Sequence, residues 1–321
     1  MIRISLALLV ASFISTAAAA QTGWPSKPIR LIAPFPPAST SDVIGRVLGQ
    51  KMSQRLGQPV VVDNRVGASG NIGADAIAKA APDGYTIGIV TSSTHAVALS
   101  LSSKLSYDPI KDFTPITMLA NTPYVLVLYP GVPAKDIKEL IALAKAKPRA
   151  LNYGSAGPAS LAHLAGALFA NLTDTQLTHV PYKSSAQSVI DLISGRIEMQ
   201  FATIAPTLAN IRAGQLRALA VTGRKRSDAL PDVPTLDEAG IKGYEATLWS
   251  ALEAPSGLPA GIATRLNQET LEILNSAEMK ETLAQQGLVP DPGTPDALAA
   301  QIRGDIAKWR DVIAKAGITA E

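Results

Sequence analysis

The chain has 321 residues, 47% hydrophobic and 17% charged, proportions that exclude intrinsic disorder and, at about 100–200 residues per domain, point to two domains with real cores. Its formal charge of +3 is spread thinly, the densest cluster being Arg224-Lys225-Arg226, and aromatic residues make up only 5%, so no basic–aromatic stripe for nucleic acid is present. Cysteine is absent, which removes disulfides, thiolate catalysis and cysteine-based zinc sites.

Arg3, the apolar run 4–14 and the four alanines at 17–20 ahead of Gln21 read as a secretory signal peptide cleaved after Ala20. The run is shorter than the roughly 20 residues that span a bilayer. No cysteine follows it for lipid attachment, and no later stretch reads as a transmembrane helix. The mature chain is expected to be exported, periplasmic, soluble and monomeric.

Residues 29–33 form a compact apolar strand. Val43, Val47, Leu48, Met52 and Leu56 then recur at helical spacing, and Gly57 ends that helix. Residues 60–62 make the next strand, 72–81 a helix stopped by Pro82-Asp83-Gly84, and 85–90 a third strand. This βαβαβ order predicts a parallel sheet covered by helices. A second α/β unit opens with a strand at 124–128 and a helix whose Ile137, Leu140, Ile141 and Ala144 share one face. A short strand at 151–153, a helix at 159–172 and strands at 178–180, 199–202 and 216–221 complete it. The remainder reads as mostly helical, with Leu298, Ile302, Ile306, Trp309 and Ile313 in one stripe. Residues 103–117 and 222–234, polar and rich in turn formers, are candidate crossovers. The predicted fold is α/β in two lobes about a cleft, residues 21–115 and 222–321 in one and 116–221 in the other.

Four segments follow strands and precede helices, where α/β sheets bind ligands. The first is Pro34-Phe35-Pro36-Pro37-Ala38-Ser39-Thr40-Ser41-Asp42. A helix N-terminus offers free N–H groups and a positive dipole end, which suit an anion, and Thr40 and Ser41 add hydroxyls. The same residues also read as plain capping by Ser41 or Asp42. The second, Tyr153 through Ser160, has the same form, with glycines that let backbone approach a ligand and Pro158 suited to a first helical turn. The third, Gly67 through Gly73, meets neither nucleotide fingerprint. The fourth, Thr91-Ser92-Ser93-Thr94-His95, is a cluster of hydroxyl donors. Phe35 is expected at the cleft and Trp249 in the core.

Enzyme machinery is not legible. The histidines are His95, His163 and His179; no GxSxG elbow accompanies Ser160 and His163, and no HExxH or comparable metal spacing occurs. Asp63, Asp75 and Asp83 stand at turns or helix starts, where carboxylates commonly cap. No cofactor is expected.

The chain resembles the Bug proteins, periplasmic binding components of tripartite tricarboxylate transporters. The resemblance rests on Trp24-Pro25-Ser26-Lys27-Pro28, Pro34-Phe35-Pro36-Pro37 with Asp42, Gly67 through Gly73, and Ala81-Pro82-Asp83-Gly84-Tyr85. It continues through Asp108-Pro109, Lys111-Asp112-Phe113, Leu151-Asn152-Tyr153-Gly154-Ser155, His163-Leu164 and His179-Val180-Pro181-Tyr182-Lys183. Gly214 through Ala220 and Leu230 through Thr235 complete it, so it covers essentially all of the mature chain.

The resemblance implies a two-lobed periplasmic-binding-protein fold of the Venus-flytrap, type II-like kind. It implies ligand carboxylates held at Pro37, Ala38, Ser39, Thr40, Ser41 and Asp42 and at Ser155, Ala156, Gly157, Ala159 and Ser160. Beside what the resemblance implies, Phe35, Ser92, Ser93, His95 and Thr203 are expected as further ligand contacts. The family often carries Gly-Gly where Ala38-Ser39 stand, and many members carry Phe-Asp where this chain has Phe201-Ala202-Thr203. Loss of that acid argues against an amino-acid ligand and favours a dicarboxylate, or an aromatic carboxylate such as terephthalate stacked on Phe35. The expected partners are the membrane subunits of such a transporter. A ligand sensor feeding a membrane two-component kinase is the alternative; a flytrap-fold enzyme and an interaction protein without a small ligand rank below it.

Overall fold

The computed structural model describes residues 23–319 apart from Ala38, Ser103 and Gln286. The expected signal peptide with its cleavage after Ala20, and the expected contact at Ala38, lie outside the described residues.

Strand β1 (Ile29–Ala33), apolar apart from Arg30, is central: it pairs in parallel with β2 (Val60–Asn64) on one side and β3 (Thr86–Thr91) on the other. Between β1 and β2 runs α1 (Thr40–Leu56), which ends where Gly57 takes the left-handed conformation at φ 69° and returns its N–H to Ser53. A 3₁₀ turn (Ala68–Gly70) and α2 (Asn71–Ala78) lead into β3, which is followed by a π-helical turn (Ser93–Val97) and a single turn, α3 (Ala98–Leu101).

Strand β4 (Phe113–Leu128) is 16 residues long and joins two groups of strands. It pairs antiparallel with β9 (Thr247–Pro255) from Phe113 to Pro123, and from Tyr124 onward with β7 (Met199–Thr203) and β8 (Arg217–Val221). The sequence reading made 103–117 a crossover and began the strand at 124. Pro115 and Pro123 mislead it, since proline within a run argues against a strand; a register shift directly after Pro115 accommodates the first, and Pro123 stands at the end of the pairing with β9.

The second group is βα throughout. After α4 (Ile137–Ala146), capped by Asp136, β5 (Asn152–Ser155) lies parallel to β6 (Thr178–Pro181) and β7, with α5 (Leu161–Thr173) and α6 (Ser185–Ile193) as crossovers. Helix α7 (Ile204–Arg212) links β7 to β8. The pairing path runs β2-β1-β3-β9-β4-β7-β5-β6, with β8 also on β4, as is β10 (Val289–Pro290), which follows α8 (Ala260–Asn275) and α9 (Ala277–Gln285).

The last helix, α10 (Pro295–Ala316), starts with a Thr294 cap and proline in its first turn and stops at a left-handed Gly317. Its expected stripe, Leu298, Ile302, Ile306, Trp309 and Ile313, is buried throughout and shares one core with Val90 and Ala96 of the first strand group and Leu164 and Phe169 of the second. Two smaller cores sit under α1 and α8, and under α6 and β8.

Candidate functional site

β1 and β3 are parallel to each other in the first strand group, as β5 and β6 are in the second, and the connections after the carboxyl ends of β1, β3 and β5 each open onto a helix or turn start. A cavity of about 540 Å³ brings several of these together. Phe35 follows β1, Ser69 and Asn71 precede and begin α2, Ser93, Val97 and Ala98 follow β3, and Pro158, Ala159 and Ser160 lie between β5 and α5. None of the described residues lining it carries a charge. Its size suits a small metabolite.

The donors it can offer differ from the expected ones. In the first loop Ser39, not Ser41 or Asp42, is the helix cap: its Oγ accepts the Asp42 N–H at 3.4 Å, and its own N–H is donated to the Pro36 carbonyl at 3.1 Å. The Asp42 carboxylate turns inward, accepting from Arg46 Nε and from Asn64 Nδ2, each at 2.9 Å. The first amides of an α-helix have no partner four residues back, so the N–H groups the Ser39 cap leaves over are those of Thr40 and Ser41.

The second loop repeats this. Ser155 is fully buried; its Oγ donates to the Gly157 carbonyl (2.9 Å), accepts the Gly157 N–H (3.1 Å) and lies 2.6 Å from His179 Nε2. Its hydroxyl therefore shapes the loop rather than facing the cavity. Ser160 caps α5 by accepting the His163 N–H, so Pro158 stands two residues before the cap and not in the first turn. The amides the cap leaves over are those of Leu161 and Ala162. Gly157 at φ 106° and Ala159 at φ 57° both hold left-handed backbone, which is costly for a residue with a Cβ. The Ala159 N–H is donated to His163 Nδ1 at 3.1 Å.

Two histidines lie beneath this loop. The β5–β6 register sets His179 opposite Tyr153, their rings 5.1 Å apart, and His163, in the first turn of α5, stacks on His179 at 3.6 Å with planes 6° apart. Burial pushes both imidazoles down to about 4, and the His179 ring adds to the effect on His163. Sequence reasoning named both histidines without assigning them this contact; their spacing across a helix and a strand carries no local signal.

Of the residues expected to meet a ligand, the cavity gathers Phe35, Ser93, Ala159 and Ser160. Pro37 and Ala156 are exposed outside its lining, as is Thr40 beside Ser39. Thr203 ends β7 and accepts from Thr207 Oγ1 through its carbonyl, away from the lining. Ser92 and His95 are both buried and outside the lining, which the π turn meets through Ser93 and Val97 instead. His95 packs edge-on to Phe113 at 4.5 Å, holds Thr94 Oγ1 at 3.0 Å, and its Nε2 lies 2.9 Å from Glu253 Oε2, off the line of a hydrogen bond. Asn71, Ser69 and Pro158 lay in loops the sequence had marked; Val97, Ala98, Leu101 and Thr319 had no such signal. Asp63 is an ion-pair partner of Arg30 and Arg65 rather than a cap, and Asp75 pairs with Lys79, while Asp83 accepts the Tyr85 N–H at its turn.

A second cavity of about 350 Å³ lies where β4 and β9 pass between strand groups, near Asn121, Pro123, Lys225 and Thr247. No α-helix N-terminus opens into it.

The family profile described as "Tripartite tricarboxylate transporter family receptor" matches residues 44–318. Protein BugT of Bordetella pertussis is 38% identical over 317 residues, covering 97% of this chain and 97% of its own. Among solved structures, Rhodopseudomonas palustris Rpa4515 with adipate is 36% identical with a TM-score of 0.73, over 92% of this chain and 99% of that one. An unliganded TctC solute-binding protein from Polaromonas is 28% identical with a TM-score of 0.83, over 91% and 99%.

Proposed function

Because the chain belongs to the tripartite tricarboxylate transporter receptor family, whose members are periplasmic solute-binding proteins and not enzymes, we propose that it captures a small dicarboxylate in the Phe35–Ser160 cavity. The membrane subunits of a tripartite tricarboxylate transporter would receive that ligand. The observation that carries this reading is a lining of neutral donors and apolar surface bounded by Phe35, Ser93, Ala159 and Ser160; the helix starts next in chain to two of these, at Thr40 and Ser41 of α1 and Leu161 and Ala162 of α5, leave amides over outside the lining itself. Such amides hold an anion without a full counter-charge. The adipate bound by Rpa4515 supports an aliphatic diacid. Phe35 in the lining keeps an aromatic carboxylate such as terephthalate as a second reading.

Capture by closure follows from the two strand groups. Residues 21–115 with 222–321, and residues 116–221, are the proposed lobes. A ligand touching both shifts the population toward the closed form. The TM-score is higher to the unliganded Polaromonas protein than to the adipate complex, although the identities run the other way; this supports an open arrangement here. Export with cleavage after Ala20 is part of the same proposal. A sensor would use the same binding step.

Titration calorimetry and thermal unfolding of residues 21–321 against succinate, malate, adipate, terephthalate, citrate and glutamate test the reading. A ligand at a thousand times its Kd stabilises by about 4 kcal/mol, roughly 2–4 °C per kcal/mol at this size. A selective rise with diacids is expected. Ligand-free protein that answers to none of the acids overturns it.

A further inference from the structure

We propose that His163 and His179 are positioning residues for the ligand: the stacked pair fixes the Gly157–Ser160 loop from behind, and only with both rings neutral. The inference rests on the reading of that loop as one wall of the carboxylate site. Ala159 lines the cavity in left-handed backbone, a conformation that persists only where its surroundings impose it. The imposed contact is the Ala159 N–H donated to His163 Nδ1, which requires an unprotonated Nδ1 and so sets the His163 tautomer with the proton on Nε2. His179 acts one residue group earlier and as a donor: the Ser155 hydroxyl gives its one proton to the Gly157 carbonyl and accepts the Gly157 N–H, so His179 Nε2, 2.6 Å away, donates to it. Each imidazole thus holds one shoulder of the loop, and the face-to-face stack at 3.6 Å locks the two together.

Protonation would dismantle this in two ways. A cationic His163 turns its acceptor into a donor facing the Ala159 N–H, and two stacked cations repel. The titratable groups facing the pair are each other and the Tyr153 phenol, with ring centroids 6.2 Å from His163 and 5.1 Å from His179. No carboxylate is among the partners of either ring in the described residues. Burial keeps both rings neutral across the neutral range. The consequence is a site whose affinity for anions falls in acid through the loop, even where a protonated histidine would be expected to attract an anion.

The test compares His163→Asn, whose side-chain carbonyl keeps an acceptor near the Nδ1 position, with His163→Leu, and His179→Gln with His179→Leu. Two readouts are used: the Kd for adipate between pH 8 and 4.5, and hydrogen exchange at the Ala159 amide without ligand. Expected results are a Kd at least tenfold weaker in both leucine variants, near-wild-type values in the asparagine and glutamine variants, and fast Ala159 exchange in His163→Leu alone. Wild-type affinity is expected to weaken toward pH 4.5 more steeply than that of His163→Asn. Unchanged Ala159 exchange in His163→Leu, or adipate affinity unchanged in both leucine variants when the wild type binds adipate, overturns the inference. If the wild type binds no acid, the carboxylate reading fails while the exchange comparison still decides whether the pair fixes the loop.

Discussion

Trp249, in strand β9, donates its indole N–H to Asp305 of helix α10 at 2.6 Å, and Lys308 reaches the other carboxylate oxygen at 2.7 Å. Trp249 and Asp305 are both buried, so the bond ties the strand that pairs with both β3 and β4 to the helix that packs on both strand groups. Removing the acceptor leaves an indole N–H unsatisfied inside the core. Asp305→Ala is expected to cost about 2–3 kcal/mol, as for a charge-assisted hydrogen bond whose donor is stranded. Asp305→Asn keeps an acceptor and is expected to lose less. Thermal unfolding checks the order; equal losses would assign the effect to the Lys308 ion pair instead.

Thr40 provides a way to delete one candidate anion donor without disturbing the fold. It is the first residue of α1 and exposed, and Ser39 before it sits at φ −70°, ψ 162°. That is the backbone a residue before proline prefers, and proline is tolerated at a first helical position because its missing N–H had no helical partner. Thr40→Pro is therefore expected to leave the unfolding temperature nearly unchanged and to weaken diacid binding about tenfold or more, the value of a hydrogen bond to a charged group. Ser39→Pro would be less clean, because the Ser39 N–H already serves the Pro36 carbonyl. Unaltered affinity in Thr40→Pro would remove this amide from the site.

The histidine pair also predicts how stability depends on pH. Both rings stay neutral in the folded chain down to about 4, whereas an unfolded histidine takes its proton near 6.5. Above about pH 6.5 neither state is protonated and the pair contributes no pH dependence. Between about 6.5 and 4 the unfolded chain binds protons that the folded chain refuses, so stability falls as pH falls through that window. Partial exposure of both rings screens part of the effect. His179→Phe keeps a flat ring and cannot titrate; its unfolding temperature is expected to decline less steeply than the wild type's from pH 6.5 to 5. Parallel slopes would refute the assignment.

What the sequence made legible was periodic or punctuated. The α10 stripe, the Gly57 stop and the apolar strands announced themselves because each is a local pattern with a local cause. The helix starts near the site were legible for the same reason. The particular donors were not: Ser39, Ser155 and Ser160 look like ligand contacts in sequence but spend their polar groups on the loops' own geometry. Whether a hydroxyl faces outward or closes a turn depends on φ/ψ values that no spacing reveals. The long β4 was hidden by its two prolines, and the π turn that buries His95 has no sequence signature at all.

Gly70 links the third loop to the cavity. It holds φ +94°, and a Cβ there would lie 2.9 Å from Thr94 Cγ2 and 3.1 Å from Phe35 Cζ. Gly70→Ala is strained by its backbone alone, by about 1–2 kcal/mol for an L-residue held left-handed. Thr94 cannot yield easily, since its Oγ1 is tied to the Thr91 amide and carbonyl and to His95. Phe35, half-buried on the cavity wall, is the neighbour free to move, and its displacement takes space from the ligand. The variant is therefore expected to lose affinity for the longer adipate more than for succinate, beyond any loss of stability read from unfolding. An equal loss for both acids would place the displaced ring outside the ligand's path and turn the search for the aromatic wall away from Phe35.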